Sequence, residues 1–257
     1  MPSWDAAQYL KFEQERTQPA EDLAARVALQ NPKKVLDVGC GPGNSTAVLA
    51  RRFPTADILG IDSSADMVAA ARTAHPALRF VQADAAGDLS ALGAGFDLVF
   101  SNACIQWVPN HRALLPRLLG LLRSGGALAV QTPFNQRQPI HRILSSLAKS
   151  PRWRPFFPQP RLFYNLSAGG YFDLLHQHAA AFSLWQTTYF HALPGHEAIL
   201  EWYRGTGLRP YLEALPTEED RAAFEQAVFA AVQAAYPQRS GGVIFRFPRL
   251  FFTATAR

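Results

Sequence analysis

Apolar and polar positions follow two alternating periods in the first half of the chain. Short apolar runs at Lys34–Val38, Asp57–Ile61, Leu78–Ala83, Phe96–Ser101 and Ala127–Thr132 read as strands. Between them, Asn44–Arg52, Ala65–Ala74 and His111–Leu122 carry the spacing of amphipathic helices. Asn44 is placed to cap the first helix and Ser64 the second, which stops before Pro76. Ser124-Gly125-Gly126 reads as the turn into the fifth strand. Strands that alternate with helices predict an α/β fold: a mostly parallel sheet with helices on both faces.

The pattern changes after Thr132. The stretch Pro133–Pro160 holds six prolines and the aromatic cluster Trp153, Phe156 and Phe157, with one helix expected at Ile140–Lys149. Helices are also expected at Ala168–His178, His196–Thr206 and Thr217–Tyr236. Strands are expected at Phe182–His191 and Val243–Ala254, the latter bent or interrupted at Pro248. One domain spanning residues 1–257 is therefore expected, with mainly helical cap elements at about 133–165 and 193–240 on the carboxyl edge of the sheet.

Composition narrows the class. With 257 residues, 48% hydrophobic and 18% charged, and no run of eighteen apolar residues, the chain reads as a soluble globular protein with no membrane partner. The N-terminus lacks the basic-then-apolar pattern of a signal peptide. Cys40 and Cys104 are its only cysteines, too few for a disulfide framework, and a cytoplasmic location is expected. The net charge of +5 lies in the second half, where thirteen Lys/Arg face eight Asp/Glu; residues 1–132 balance at twelve each. A basic surface suits nucleic acid, a membrane or an acidic small molecule, and is also what a solvated surface looks like. His176 and His178 are two apart and share no helix face, and no carboxylate array accompanies them, so no metal is expected.

The chemistry concentrates at Val35-Leu36-Asp37-Val38-Gly39-Cys40-Gly41-Pro42-Gly43-Asn44. A strand runs into three alternating glycines, then a helix, so bare backbone can lie against a ligand. A nicotinamide-binding Rossmann fold is the obvious rival. Here, however, the spacing is GxGxG rather than GxGxxG, and Pro42 removes an N–H that a pyrophosphate would want. Asp37 is placed to hold an ammonium group. Asp62 ends the second strand, where a carboxylate can accept both hydroxyls of a ribose. Asp84 ends the third, where it can meet an adenine amino group, and Met67 lies one helical turn past Asp62, where it can cover the adenine face. Singly, each acid could be a strand-end cap; a glycine loop followed by acids at successive strand ends points to S-adenosyl-L-methionine.

These residues, with Ser101-Asn102-Ala103-Cys104-Ile105-Gln106-Trp107-Val108-Pro109, resemble the first four motifs of the class I S-adenosylmethionine-dependent methyltransferases. The resemblance implies a seven-stranded Rossmann-like sheet with a final antiparallel strand. It implies a cofactor site made of Asp37, Gly39, Cys40, Gly41, Gly43, Asn44, Asp62, Ser63, Met67, Asp84, Ala85, Asn102, Gln106 and Trp107. Asn102 to Trp107 would floor it beside the transferred methyl. Trp107 is either core or close enough to the sulfonium for a cation–π attraction.

The acceptor is carried by other segments. Trp4–Phe12 with Arg16, Trp185–His191, Ile199–Pro210 and Phe247–Phe251 resemble the trans-aconitate methyltransferases, and the likeness covers nearly the whole chain, least well over 133–165. It implies a small polycarboxylate acceptor and a monomethyl ester product. Polycarboxylates need cations, and arginine pairs them bidentately. Arg16, Arg209, Arg246 and Arg249 are the expected arginines, and Tyr9, Tyr164, Tyr189 and Tyr203 the expected hydroxyl donors. Each arginine could instead pair a surface acid, and each tyrosine fill core. Arg209 is expected to weigh most, because a Gly-Thr-Gly turn before it and Pro210 after it fix its direction. Trp4, Tyr9 and Phe12 suit either a lid or a packed N-terminal helix. A carboxylate is already ionised near neutral pH, so no catalytic base is expected. An RNA acceptor, another small acid, or cofactor binding without catalysis are the alternatives. No recognised RNA-binding module accompanies the basic half, so no nucleic-acid partner is expected. Nothing in the sequence specifies an oligomeric state.

Overall fold

The computed structural model describes residues 13–158 and 163–257. Among these, α1 spans Glu13–Arg26 and is followed by β1 (Lys34–Val38), α2 (Asn44–Arg52), β2 (Asp57–Asp62), α3 (Ala65–Ala74), β3 (Arg79–Gln82) and β4 (Phe96–Asn102). Next come α4 (His111–Gly120), β5 (Leu122–Pro133), α5 (Pro139–Lys149), α6 (Ala168–His178) and β6 (Ala181–Leu193). The chain continues through α7 (His196–Arg204), α8 (Arg209–Ala214), α9 (Glu218–Ala235), β7 (Gln238–Arg239) and β8 (Gly242–Thr255).

The strands run in the order β3-β2-β1-β4-β5-β8-β6, with the two-residue β7 paired to β8. The β1–β2, β1–β4, β2–β3 and β4–β5 pairs are parallel. β8 is antiparallel to β5, as the family likeness implied. The expected α/β fold with a mostly parallel sheet is the one found; the short β7 makes the strand count eight rather than seven. β1 and β4 are central, and their near-continuous apolar sequences, Val35, Leu36, Leu98, Val99 and Phe100, are fully buried. The order reverses between β1 and β4, so their carboxyl ends form the switch point at which open α/β sheets bind ligands.

Several expected boundaries move. Asn44 does not cap α2. The cap is Gly43, in a left-handed conformation with φ 99°, and Asn44 is the first helical residue. Gly41 and Gly43 turn the chain so tightly that the helix starts from backbone alone. Ser64 does cap α3, its hydroxyl accepting the Met67 N–H at 3.3 Å. α4 stops at Gly120, and β5 begins at Leu122, absorbing the expected glycine turn: Phe96 pairs Leu122 and Leu98 pairs Ala127, so the extra residues bulge out of register. Pro248 does not interrupt β8, whose ladder with β5 runs from Arg249 to Thr255; the Pro248 carbonyl accepts the Phe134 N–H at 2.9 Å. The short α8 lies between two expected helices, in a stretch to which the sequence assigns no element.

The chain divides into two compact units. One, the sheet unit, comprises Glu13–Pro133, Phe163–Thr187 and Arg249–Arg257. The other, the aromatic unit, comprises Thr188–Pro248 and the described part of Phe134–Leu162. Its core gathers Ile140, Trp153, Trp202, Phe224, Val228 and Phe245, with Trp153 edge-on to Phe224 at 5.2 Å. Pro139 opens α5 at its first turn, where no N–H is needed. α9 starts at a Thr217 cap with Glu218, Glu219 and Asp220 in its first turn, matching the helix dipole.

Candidate functional site

The expected cofactor residues come together at the carboxyl ends of β1, β2 and β4 and the loop after β3, all in the sheet unit. The glycine bend is anchored first. The N–H groups of Gly39 and Cys40 both donate to the Ile61 carbonyl, at 2.8 and 2.9 Å, tying the loop to the end of β2. Gly39 has φ 76°, and a Cβ there would lie 2.3 Å from both Cβ and Sγ of Cys104. Glycine is therefore required on two counts, conformation and the close approach of the segment after β4.

Two acids are held in different ways. The Asp62 carboxylate accepts the Gly41 N–H on Oδ2 at 3.0 Å and the Ser64 N–H on Oδ1 at 2.9 Å. A carboxylate has about four lone-pair sites, so Asp62 can still accept from hydroxyls besides its backbone N–H partners. Burial raises its pKa, and the backbone N–H groups pull the other way. Asp37 is fully buried. Its Oδ2 accepts the hydroxyls of Ser45 and Thr46, both at 2.6 Å, while Oδ1 is buried with no partner among the described residues. Burial pushes this carboxyl up to about 6 against the two hydroxyls that lower it, with a smaller push from the Asp62 charge. An unmatched buried acceptor beside a glycine bend fits a ligand that brings a cation.

The other positions complete the rim. Asp84 Oδ1 accepts the Ala86 N–H at 2.8 Å, closing a turn that leaves its other oxygen available. The Ala85 carbonyl accepts from Arg117 at 2.8 Å, and the Ser63 carbonyl from Gln82 at 3.1 Å. Met67 is buried in the first turn of α3. Asn102 ends β4 with its Oδ1 buried and without a partner among the described residues. Ala103, next to it, has φ 53°, an unusual angle for a residue with a side chain. Gln106 holds that bend, donating to the Ala103 carbonyl at 2.6 Å. Trp107 packs against Phe163, ring centres 5.0 Å apart.

The expected acceptor residues divide between the two units. In the sheet unit, Arg249 is buried on β8 and donates to the Gln131 side-chain oxygen at 3.2 Å. Tyr164 is exposed, and its N–H donates to the Gln106 carbonyl at 3.0 Å. In the aromatic unit, Tyr203 is buried with its hydroxyl 3.0 Å from His141 Nε2 and 3.4 Å from Asn135 Nδ2. Tyr189 stacks on His191, and the exposed Arg246 lies over Phe190. Arg209 is the first residue of α8 and pairs with Glu213 one turn on at 2.6 Å, so its direction is set by its own helix rather than by the preceding turn. Arg16 sits in α1, its side chain outside the described set. Tyr9, Trp4 and Phe12 lie outside the described residues.

Sequence reasoning missed the residues behind these. Ser45 and Thr46 were assigned no role from the sequence. His111 read as the start of a helix; in the structure its ring is buried between Ile105 and Tyr171. Only the tertiary fold brings α6 to that ring.

Comparison with known proteins follows the same lines. Residues 35–126 match a family described as a methyltransferase domain. A trans-aconitate 2-methyltransferase from Azoarcus sp. strain BH72 is 48% identical over 99% of each chain. A second protein of that name, from Rhodopseudomonas palustris strain BisB18, is 46% identical over 99% of each. Among solved structures, a putative methyltransferase from Bacillus halodurans superposes with a TM-score of 0.57 at 16% identity, covering 93% of this chain and 98% of its own, a likeness of fold.

Proposed function

Since the chain belongs to the trans-aconitate 2-methyltransferases, we propose that it transfers the methyl of S-adenosyl-L-methionine to a carboxylate of trans-aconitate, giving the monomethyl ester. The observation that carries the site assignment is the buried, half-satisfied Asp37 beside the Gly39 bend. The strand-end residues fit the cofactor: Asp62 for the ribose hydroxyls, Asp84 for the adenine amino group, Asp37 Oδ1 toward the ammonium. Bound there, S-adenosyl-L-methionine supplies an electrophilic methyl on a sulfonium. Asn102, Gln106 and Trp107 floor the reacting end.

The chain's own part in catalysis is to orient and to exclude water. The acceptor carboxylate is already ionised, and its charge fades as it attacks the methyl carbon. A cation gripping the attacking oxygen would favour the ground state over the transition state. Arg249, buried beside Gln131, is therefore assigned to one of the non-reacting carboxylates, with Tyr164 as a hydroxyl donor. Arg209 has an acid of its own in Glu213 and is assigned a lesser part.

The test is methyl transfer from labelled donor to a panel of di- and tricarboxylic acids. Base-labile label on trans-aconitate, exceeding that on its relatives, is expected. Label on RNA, or on no acid, would overturn the reading. Asp62→Ala should weaken S-adenosylhomocysteine binding roughly ten- to a hundredfold, as loss of charged hydrogen bonds does, while leaving acceptor KM nearly intact.

A further inference from the structure

No role was expected of His111, yet the residue is 2% exposed and both ring nitrogens are engaged. Nε2 lies 2.8 Å from the Ile105 carbonyl, and Nδ1 lies 2.7 Å from the Tyr171 hydroxyl. A carbonyl only accepts, so Nε2 carries the hydrogen. Burial lowers the imidazole pKa, against the Ile105 and Val108 carbonyls that raise it, and in the neutral ring with its hydrogen on Nε2 the Nδ1 atom is an acceptor. The Tyr171 hydroxyl, itself fully buried, then donates to Nδ1 and complements the tautomer that the Ile105 carbonyl sets.

The same region is braced from the other side. The Thr132 hydroxyl lies 3.0 Å from Asn165 Oδ1 and 3.2 Å from Gln106 Oε1, one proton between two acceptors. Asn165 Nδ2 donates to the Pro133 carbonyl at 2.6 Å; the Tyr171 oxygen lies 3.4 Å from Asn165 Oδ1, and its one proton is directed to His111 instead. These contacts join the segment after β4, the end of β5 and the approach to α6. Between the braces lies the strained Ala103, whose N–H donates to the Gln131 carbonyl at 2.9 Å.

We infer that His111 and Tyr171 are positioning residues for methyl transfer: they hold the Ile105 carbonyl, and with Asn165 and Thr132 they fix the 102–107 segment in the geometry the reaction needs. An apolar side chain could fill the same space at less desolvation cost. The polar chain adds direction, because each hydrogen bond admits one placement of the backbone it holds. Preorganisation of this kind matters at the reacting centre, where a misplacement of about 1 Å can cost roughly a hundredfold in rate. The inference rests on the reading of 102–107 as the cofactor floor.

The experiment compares His111→Leu, His111→Gln and Tyr171→Phe by steady-state kinetics on trans-aconitate, thermal melting and S-adenosylhomocysteine calorimetry. Nitrogen NMR of the imidazole adds the tautomer. His111→Leu should lower kcat roughly tenfold or more, with acceptor KM and product affinity within about twofold. His111→Gln, whose amide can still donate to Ile105, should recover most of the loss. Tyr171→Phe, the mildest change, should lower kcat less and keep the Nε2–H tautomer, which the Ile105 carbonyl still requires. A drop in melting temperature with kcat within about twofold of the parent would overturn the inference, as would a glutamine variant no better than leucine. Gln106→Ala and Trp107→Ala separate the two layers: if they leave kcat intact, the floor reading fails; if they lower it while the His111 variants do not, the positioning inference alone fails.

Discussion

The sheet unit and the aromatic unit spend their polar side chains differently. In the sheet unit, charged and amide groups sit at strand ends, buried and incompletely matched: Asp37 Oδ1, Asn102 Oδ1 and Gln131 Nε2 lack partners among the described residues. In the aromatic unit the residues expected to grip a substrate are largely occupied by neighbours within it, Arg209 by Glu213, Tyr203 by His141, Arg246 by the face of Phe190. Unmatched buried polarity costs stability, and folds keep it where a ligand returns the interaction. The difference teaches that residue type alone does not mark a binding residue; the state of its partners does.

The contrast can be broken most sharply at Gly39. Gly39→Ala puts a methyl 2.3 Å from Cys104 and a side chain at φ 76°. S-adenosylhomocysteine binding by calorimetry should vanish, even if the fold survives by circular dichroism. A retained affinity would move the ligand away from this bend. The next effect is at Arg249. Arg249→Leu should raise acceptor KM by roughly ten- to a hundredfold, with cofactor affinity kept. An unchanged KM would make the buried guanidinium a brace for Gln131 and nothing more.

A smaller effect follows from Asp37, raised from 3.8 to about 6. The folded, ligand-free protein keeps a proton that the unfolded chain releases in that window. Asp37 therefore costs stability progressively as pH rises through it, and the full cost stands above pH 6. A ligand ammonium would favour the ionised form. Binding near pH 6 should then release a proton, seen as a buffer-dependent heat, and affinity should strengthen as pH rises from about 5 to 7. Asp37→Asn should lose both; a heat independent of buffer would exclude the pairing. Smallest of all is Arg209→Ala. If Arg209 serves Glu213, the loss is that of an exposed helical pair, about 0.3–0.5 kcal/mol, with acceptor KM unmoved. A strong rise in KM would restore it to the site.

The sheet half was legible because its signals are local. Continuous apolar runs gave β1 and β4, and Ser64 announced α3. The glycine bend and its acids were legible for the same reason: they recur at strand ends in chain order. What failed was decided by neighbours. Asn44 lost the cap because Gly43 takes the left-handed position, and the Ser124–Gly126 turn became part of β5 because β4 pairs on either side of it. The brace at His111 was invisible because its partner Tyr171 is sixty residues away. The Arg209–Glu213 pair was invisible too, because Glu213 reads as an ordinary surface acid until the helix between them is known.

Cys104 packed on Gly39, with Cys40 one residue on, puts two thiols beside the glycine bend to which the proposed function assigns an alkylating cofactor. Sulfur is the softest nucleophile the chain owns, but only as thiolate. Burial pushes Cys104 up to about 12 and Cys40 further still, which disfavours the thiolate of each. The enzyme is thereby insulated from its own reagent: its intact mass should stay unchanged after long incubation with the methyl donor, and a gain of one methyl on either cysteine would show the insulation to be absent.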